Sequence, residues 1–279
     1  MPRFAMWGIA LVKITLLDSH KAELAPWLIG YVGGEISTPD RPTKRVIPAR
    51  PNCFIQIILD GSHAMIEVER GQRRPAPAVG LFGPLSHYHY NMEMQGSLRT
   101  FSARLQPAGA VQLLGMNPVE LVNTFVAIDL PADLLDALRT AATWQDMVAP
   151  FDNWLTSLAR GKPGSDAVTR AANHLRRARG IISVQDLADE AGLSLRQFQR
   201  RFQALTGLNP KHYARICRIG QAVHRKELEP AASWTELALE CGYADQSHFI
   251  RDFKALTGTL PREFLRGQTP ILRDPKWAE

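Results

Sequence analysis

The chain has 279 residues, 45% hydrophobic and 22% charged, with a formal net charge of +6. This is the composition of an ordinary soluble globular protein, long enough for two domains. Three cysteines, Cys53, Cys217 and Cys241, are odd in number and lack metal-ligand spacing, which fits a reducing cytoplasm and argues against secretion.

The charge is unevenly placed. Residues 165–279 carry 18 Lys and Arg against 13 Asp and Glu, whereas residues 1–164 carry 15 against 14. The basic excess therefore sits in the last third, where it favours a polyanionic partner. The apolar run from Phe4 to Leu17 is interrupted by Lys13 and is too short to span a bilayer.

Residues 1 to about 106 read mainly as strands. Phe54–Leu59 and Ala64–Glu69 flank Asp60-Gly61, a hairpin signal. Val79–Phe82, Tyr88–Met94 and Leu98–Leu105 are further short strands, and the Pro-rich stretch Ser37–Pro51 reads as a loop. This punctuation predicts a small barrel or sandwich.

After Pro107 the pattern becomes helical. Ala110–Leu114 predicts a short helix, and Pro118 and Pro131 each open another. Met147, Phe151, Trp154, Leu155 and Leu158 form one apolar stripe, read as core packing with a dimer seam as the alternative. Arg160-Gly161-Lys162-Pro163-Gly164 reads as a linker, and Ser165 as the cap of the helix that follows.

The last third repeats itself. Phe198, Phe202, Leu205-Thr206-Gly207, Pro210 and Tyr213 recur 51 residues on as Phe249, Phe253, Leu256-Thr257-Gly258, Pro261 and Phe264. Upstream, Ser183, Leu187-Ala188, Ala191 and Gly192 recur 50 residues on as Ser233, Leu237-Ala238, Cys241 and Gly242. Two helix-turn-helix units account for both offsets, with one extra residue in the second turn. Residues 183–207 and 233–258 bound them, and the stretch from Pro210 to about Leu228 is a helix joining them.

With the two phenylalanines of each unit in the core, Arg196, Gln197, Gln199 and Arg200 point outward in the first, and Gln246, Ser247, Ile250 and Arg251 in the second. Arg reads two acceptors of guanine, Gln both groups of adenine, and an apolar Ile fits a thymine methyl. His248 reads as a local structural residue. Lys211, Arg215 and Arg218 on the joining helix are placed to touch phosphates, which set affinity and register.

In the strand-rich half, His87, His89 and Glu93 have the H-x-H-x3-E spacing of a metal-binding strand. The histidine expected downstream is missing, with Gln112 in its place, so no metal and no cofactor is assigned. His87, His89, Glu93 and Arg104 remain candidates for contact with a small-molecule effector. No G-x-S-x-G, P-loop or dinucleotide fingerprint occurs, and no catalytic residue is assigned.

The stretch Gly242–Phe264, GYADQSHFIRDFKALTGTLPREF, resembles the signature of the AraC/XylS family of bacterial transcription regulators, and the resemblance extends over about 165–266. It implies a seven-helix DNA-binding domain at 166–268, after a linker at 161–165 and before a tail at 269–279. It also implies a degenerate cupin-type barrel with trailing helices at 1–160 that senses an effector or mediates dimerisation. A weaker similarity of Phe101–Leu121 to one subgroup of the family supports that domain type.

The expected function is then that of a cytoplasmic, effector-responsive regulator, activation being common in the family. Its partners would be promoter DNA, RNA polymerase, a small molecule and a second protomer, with no membrane. The alternative is a metal-dependent cupin enzyme or metal sensor fused to a DNA-binding domain.

Overall fold

The computed structural model describes residues 3–7, 10–162 and 164–264. Among these, nine strands join in one sheet: β1 Arg3–Trp7, β2 Ala10–Leu17, β3 Leu28–Ser37, β4 Thr43–Ile47, β5 Phe54–Glu67, β6 Arg73–Pro75, β7 Val79–Phe82, β8 Tyr90–Leu105 and β9 Phe125–Ala127. The order is β1-β2-β3-β8-β5-β7-β9, with β4 paired to β8 and β6 to β5.

Asp60-Gly61 is not a hairpin turn. The two flanking runs belong to the single strand β5, which pairs with β8 from Phe54↔Arg104 to Glu67↔Tyr90. The register shifts at Ile58/Asp60 and Gly61/His63. Gly61 sits there at φ +76°, and a Cβ on it would collide with the Ser97 carbonyl. The dipeptide thus has the right backbone chemistry for a turn and uses it for a bulge that bends the long strand. Tyr88–Met94 and Leu98–Leu105 merge likewise into β8, and β4 lies inside the expected Pro-rich loop, paired with the first half of β8.

Side chains alternate across the bent sheet. Along β8, Phe101, Ala103 and Leu105 enter one core with Tyr31, Ile55 and Ile57, while Leu98, Thr100, Ser102 and Arg104 face an internal cavity. The first of these faces is covered by helices α1 Gly109–Leu114, α2 Pro118–Leu121, α3 Ala132–Thr140 and α4 Val148–Ala159. Met147, Phe151 and Leu155 are fully buried here, so the apolar stripe of α4 is core. Buried Asp152 ties α4 to the sheet by accepting bonds from Ser19 Oγ at 2.7 Å and Tyr31 Oη at 2.6 Å.

The chain then enters α5 Ala167–Arg177, capped by Asp166 rather than by Ser165: Asp166 Oδ1 accepts from the Thr169 amide. Pro163 of the expected linker, residues 265–268 and the 269–279 tail lie outside the described residues. The remaining helices are α6 Val184–Glu190, α7 Leu195–Thr206, α8 Pro210–Leu228, α9 Trp234–Glu240, α10 Gln246–Thr257 and α11 Pro261–Phe264. Phe198, Phe202, Tyr213, Phe249, Phe253 and Phe264 form a single buried core with the apolar faces of α5 and α8.

Candidate nucleic-acid interface and effector cavity

Each helix-turn-helix is built by local signals. Ser183 and Ser233 accept the backbone N–H three residues on and so start α6 and α9. Gly192 and Gly242 turn the chain. The second helices then start from unlike caps, a Ser194–Gln197 capping box for α7 and Asp245 for α10. Helix starts 50 residues apart for α6 and α9 become 51 apart for α7 and α10, so the extra residue lies in the second turn.

Burial of Phe198 and Phe202, and of Phe249 and Phe253, fixes the outward faces. Arg196, Arg200, Gln246, Ser247 and Arg251 are exposed, and Gln199 and Ile250 half-buried. No hydrogen bond or ion pair among the described residues occupies the five exposed side chains. They lie toward the N-terminal ends of α7 and α10, the part of such a helix that enters a groove.

Three of the side chains expected at DNA also make contacts within the domain. Gln197 Oε1 accepts from the Ser194 N–H at 3.1 Å and from Ser194 Oγ at 2.9 Å, so this amide closes a cap. Arg215 donates through Nε and Nη2 to buried Asp252, at 3.0 and 2.6 Å, and is a strut between α8 and α10. Arg218 lies 4.9 Å from the centre of the Tyr243 ring. Lys211, at the start of α8, is exposed. Asp245 caps α10 by accepting from the backbone N–H of His248 at 2.7 Å, and the His248 ring stands edge-on to Tyr243.

The barrel candidates do not converge. Glu93 bonds Arg73 at 2.9 Å. His87 and His89 contact each other, Nε2 to Nδ1, at 3.3 Å, and Ser86 Oγ meets His87 Nδ1 at 2.8 Å. Burial, then the neighbouring His87, pushes the His89 pKa down. Among the described residues no three His, Cys, Asp or Glu side chains are grouped to hold a metal. None of the three candidates lines the internal cavity of about 230 Å³; only Arg104 does. The sequence reading missed Arg45 and Arg50, which also line it. Their signal was two arginines bracketing the apolar Val46-Ile47-Pro48-Ala49.

Comparison with known proteins agrees with this layout. Residues 187–267 match the family model of a helix-turn-helix domain. The transcriptional activator RhaS of Escherichia fergusonii is 32% identical over 122 residues, spanning 42% of each chain. RhaS of Escherichia coli O1:K1 is 33% identical over 87 residues, 31% of each. The chain thus spans well under half the length of the curated relatives it matches. Residues 187–267 are thus similar to the helix-turn-helix domain of these transcriptional activators.

Across both domains the chain has the fold of ToxT from Vibrio cholerae, with a TM-score of 0.51 at 10% identity, covering 92% of this chain and 98% of that one. A second ToxT structure, from strain SCE256, gives 0.51 at 12% identity, covering 94% and 99%. A strand-rich N-terminal domain followed by a helical helix-turn-helix domain is common to both.

The barrel holds this helix-turn-helix domain near the C-terminal ends of both outward helices. Gly207, which ends α7, packs against the Pro118 carbonyl and Val122. At the end of α10, the Ala49 N–H donates to the Leu256 carbonyl at 2.7 Å, and the Tyr88 N–H to the Ala255 carbonyl at 3.1 Å. Gly258 lies against the Tyr88 ring, where a Cβ would collide. On α8, Tyr213 Oη donates to Asn52 Oδ1 at 2.9 Å, and His212 Nε2 to the Ser86 carbonyl at 2.6 Å. No helix among the described residues is long and apolar enough to cross a membrane.

Proposed function

We propose that this chain is a sequence-specific transcriptional regulator whose two helix-turn-helix units enter adjacent major grooves of promoter DNA. The observation that carries the reading is the duplicated outward face, with exposed, uncommitted Arg196, Arg200, Gln246, Ser247 and Arg251 on the second helix of each unit. Gln199 and Ile250 complete the base-reading set. Lys211 contacts a phosphate, while Gln197, Arg215 and Arg218 support the fold. The barrel is the sensor: an effector in its cavity alters how the AraC-type domain is held, by binding one arrangement better than the other. RNA polymerase and a second protomer are further partners in this reading.

Selection of binding sites from random DNA, followed by footprinting, tests it. Two protected half-sites on one face of the duplex are expected, their centres about 10 base pairs apart, one helical turn. Binding with equal affinity to all sequences, or protection confined to one half-site, would overturn it.

A further inference from the structure

The cavity is bounded by the inward residues of β2, β3, β4, β5, β7 and β8 and by the 48–53 segment. Most of its wall is apolar, with Val12, Ile36, Met65, Phe82, Met92 and Leu98 among the lining. Among the described residues its charged lining is of one sign: Arg45, Arg50 and Arg104, with no Asp or Glu. Nη2 of Arg45 and Nε of Arg50 are shielded from solvent and have no hydrogen-bond partner among the described residues. The same holds for Gln56 Oε1 and His63 Nδ1.

A desolvated guanidinium donor without an acceptor is costly, and a planar carboxylate satisfies it with two parallel bonds. Burial pushes Arg45 down to about 9 and Arg50 down to about 10, values at which both stay protonated at neutral pH. Such groups call for an anion. Gln56 Oε1, an acceptor, calls for a hydrogen-bond donor on the same molecule.

The two arginines also lie where the barrel holds the DNA-binding domain. Glu227 on α8 is the charged group that acts most strongly on Arg45. Between and beside the arginines, Ala49 bonds the last turn of α10, and Asn52 bonds Tyr213 of α8. One face of the 45–53 segment therefore lines the cavity and the other holds two helices of the helix-turn-helix domain.

We infer that the cavity binds a small carboxylate with an apolar body and a hydrogen-bond donor, held by Arg45 and Arg50. Its charge competes with Glu227 for Arg45, so occupancy is transmitted through residues 45–53 to α8 and α10. This inference rests on the sensor reading above and adds the ligand class and the route.

The test uses the full chain and three probes, hexanoate, benzoate and 3-hydroxybenzoate, each paired with its uncharged amide. Calorimetry reads affinity, and fluorescence anisotropy on the selected DNA site reads coupling. At least one carboxylate is expected to bind saturably, tenfold or more tighter than its amide, with 3-hydroxybenzoate above benzoate. R45Q and R50Q should each weaken it at least tenfold. E227Q should keep ligand binding and lose most of the ligand-dependent change in DNA affinity.

Amides that bind as well as the acids, or R45Q and R50Q chains that fold and bind unchanged, would overturn the anion site. If neither variant folds, the acid-to-amide ratio on the native chain decides alone. No binding by any probe to a chain that still recognises its DNA site overturns this inference and leaves the regulator reading standing. Loss of sequence-specific DNA binding in the unliganded native chain is the separate failure of that reading.

Discussion

The two helix-turn-helix units share an interior and differ in how they are attached. Both bury a phenylalanine pair, with ring centres 5.7 Å apart for Phe198–Phe202 and 5.5 Å for Phe249–Phe253. Both end in a threonine hydroxyl bonded to the carbonyl four residues back, Thr206 to Phe202 and Thr257 to Phe253. At the position 51 residues apart in α7 and α10, however, stand Arg201 and Asp252. Arg201 is half-exposed and pairs with half-exposed Asp166 at 3.4 Å. Asp252 is buried and holds Arg215 and the Tyr243 hydroxyl. Positions that fold a unit are thus alike in the two copies, while those that fasten it to its neighbours are not.

The interiors should respond alike and strongly. Phe202→Ala and Phe253→Ala each remove a fully buried ring, Phe202 edge-on to Tyr213 and Phe253 edge-on to Phe264. Each should cost about 3–5 kcal/mol in urea denaturation. A loss below about 1 kcal/mol at either site would mean that the ring is not packed as described.

The attachments should respond unequally. Asp252→Asn leaves Arg215 without its counter-charge and should cost roughly 2 kcal/mol. Arg201→Ala breaks an exposed pair and should cost under about 1 kcal/mol. Acid sharpens the contrast. Burial works to raise the Asp252 pKa, but the bonds and charge of Arg215, the Tyr243 hydroxyl and the charge of His248 together outweigh it and hold the carboxyl below its ordinary value. A depressed carboxyl contributes its full stability above the unfolded value of about 3.9 and loses it as pH falls through the folded value. Asp252→Asn should therefore flatten stability against pH in the limb below about pH 4. An unchanged acid limb, or equal costs for the two substitutions, would erase the difference between the units.

The same local-versus-distant division decides what the sequence discloses. Helices α6 to α11 are legible because caps, turn glycines and the three-to-four-residue apolar period act within a few residues of each other. The barrel is less so. Asp60-Gly61 carries turn chemistry whether it makes a hairpin or a bulge, and only pairing of all of β5 with β8 decides. Strand β4 is hidden by the prolines around it and exists because β8 lies alongside. The outward faces of α7 and α10 follow from the phenylalanine period, but the capping role of Gln197 and the Asp252 partner of Arg215 are contacts that period does not encode. Arg45, Arg50 and Arg104 meet at one cavity from opposite ends of the barrel sequence, so spacing could not group them, whereas the suggestive spacing of His87, His89 and Glu93 brings only the two histidines together and leaves Glu93 on Arg73.

On DNA, the exposed arginines of the two units offer a finer comparison. Arg251→Ala should weaken binding to the selected site by roughly 1–3 kcal/mol and relax preference at one base in the half-site of the second unit. Arg200→Ala should do the same in the half-site of the first. A base-substitution series that shows one variant relaxing both half-sites, or neither, would contradict separate reading by two units.

The smallest effect is expected from Lys211, at the N-terminal end of α8 between the units. Its ammonium is exposed and belongs to neither outward face, so in the proposed complex it meets a phosphate and not a base edge. A phosphate contact releases counterions whatever the sequence. Lys211→Ala should therefore weaken specific and non-specific DNA by the same factor and reduce the slope of log affinity against log salt by about 0.9. The anisotropy titrations that follow Arg251→Ala, repeated at several salt concentrations, measure both quantities. A loss confined to the selected site would move Lys211 from the joining helix's electrostatic role into base reading, and the boundary between positioning and reading would then no longer run between α8 and the outward faces of α7 and α10.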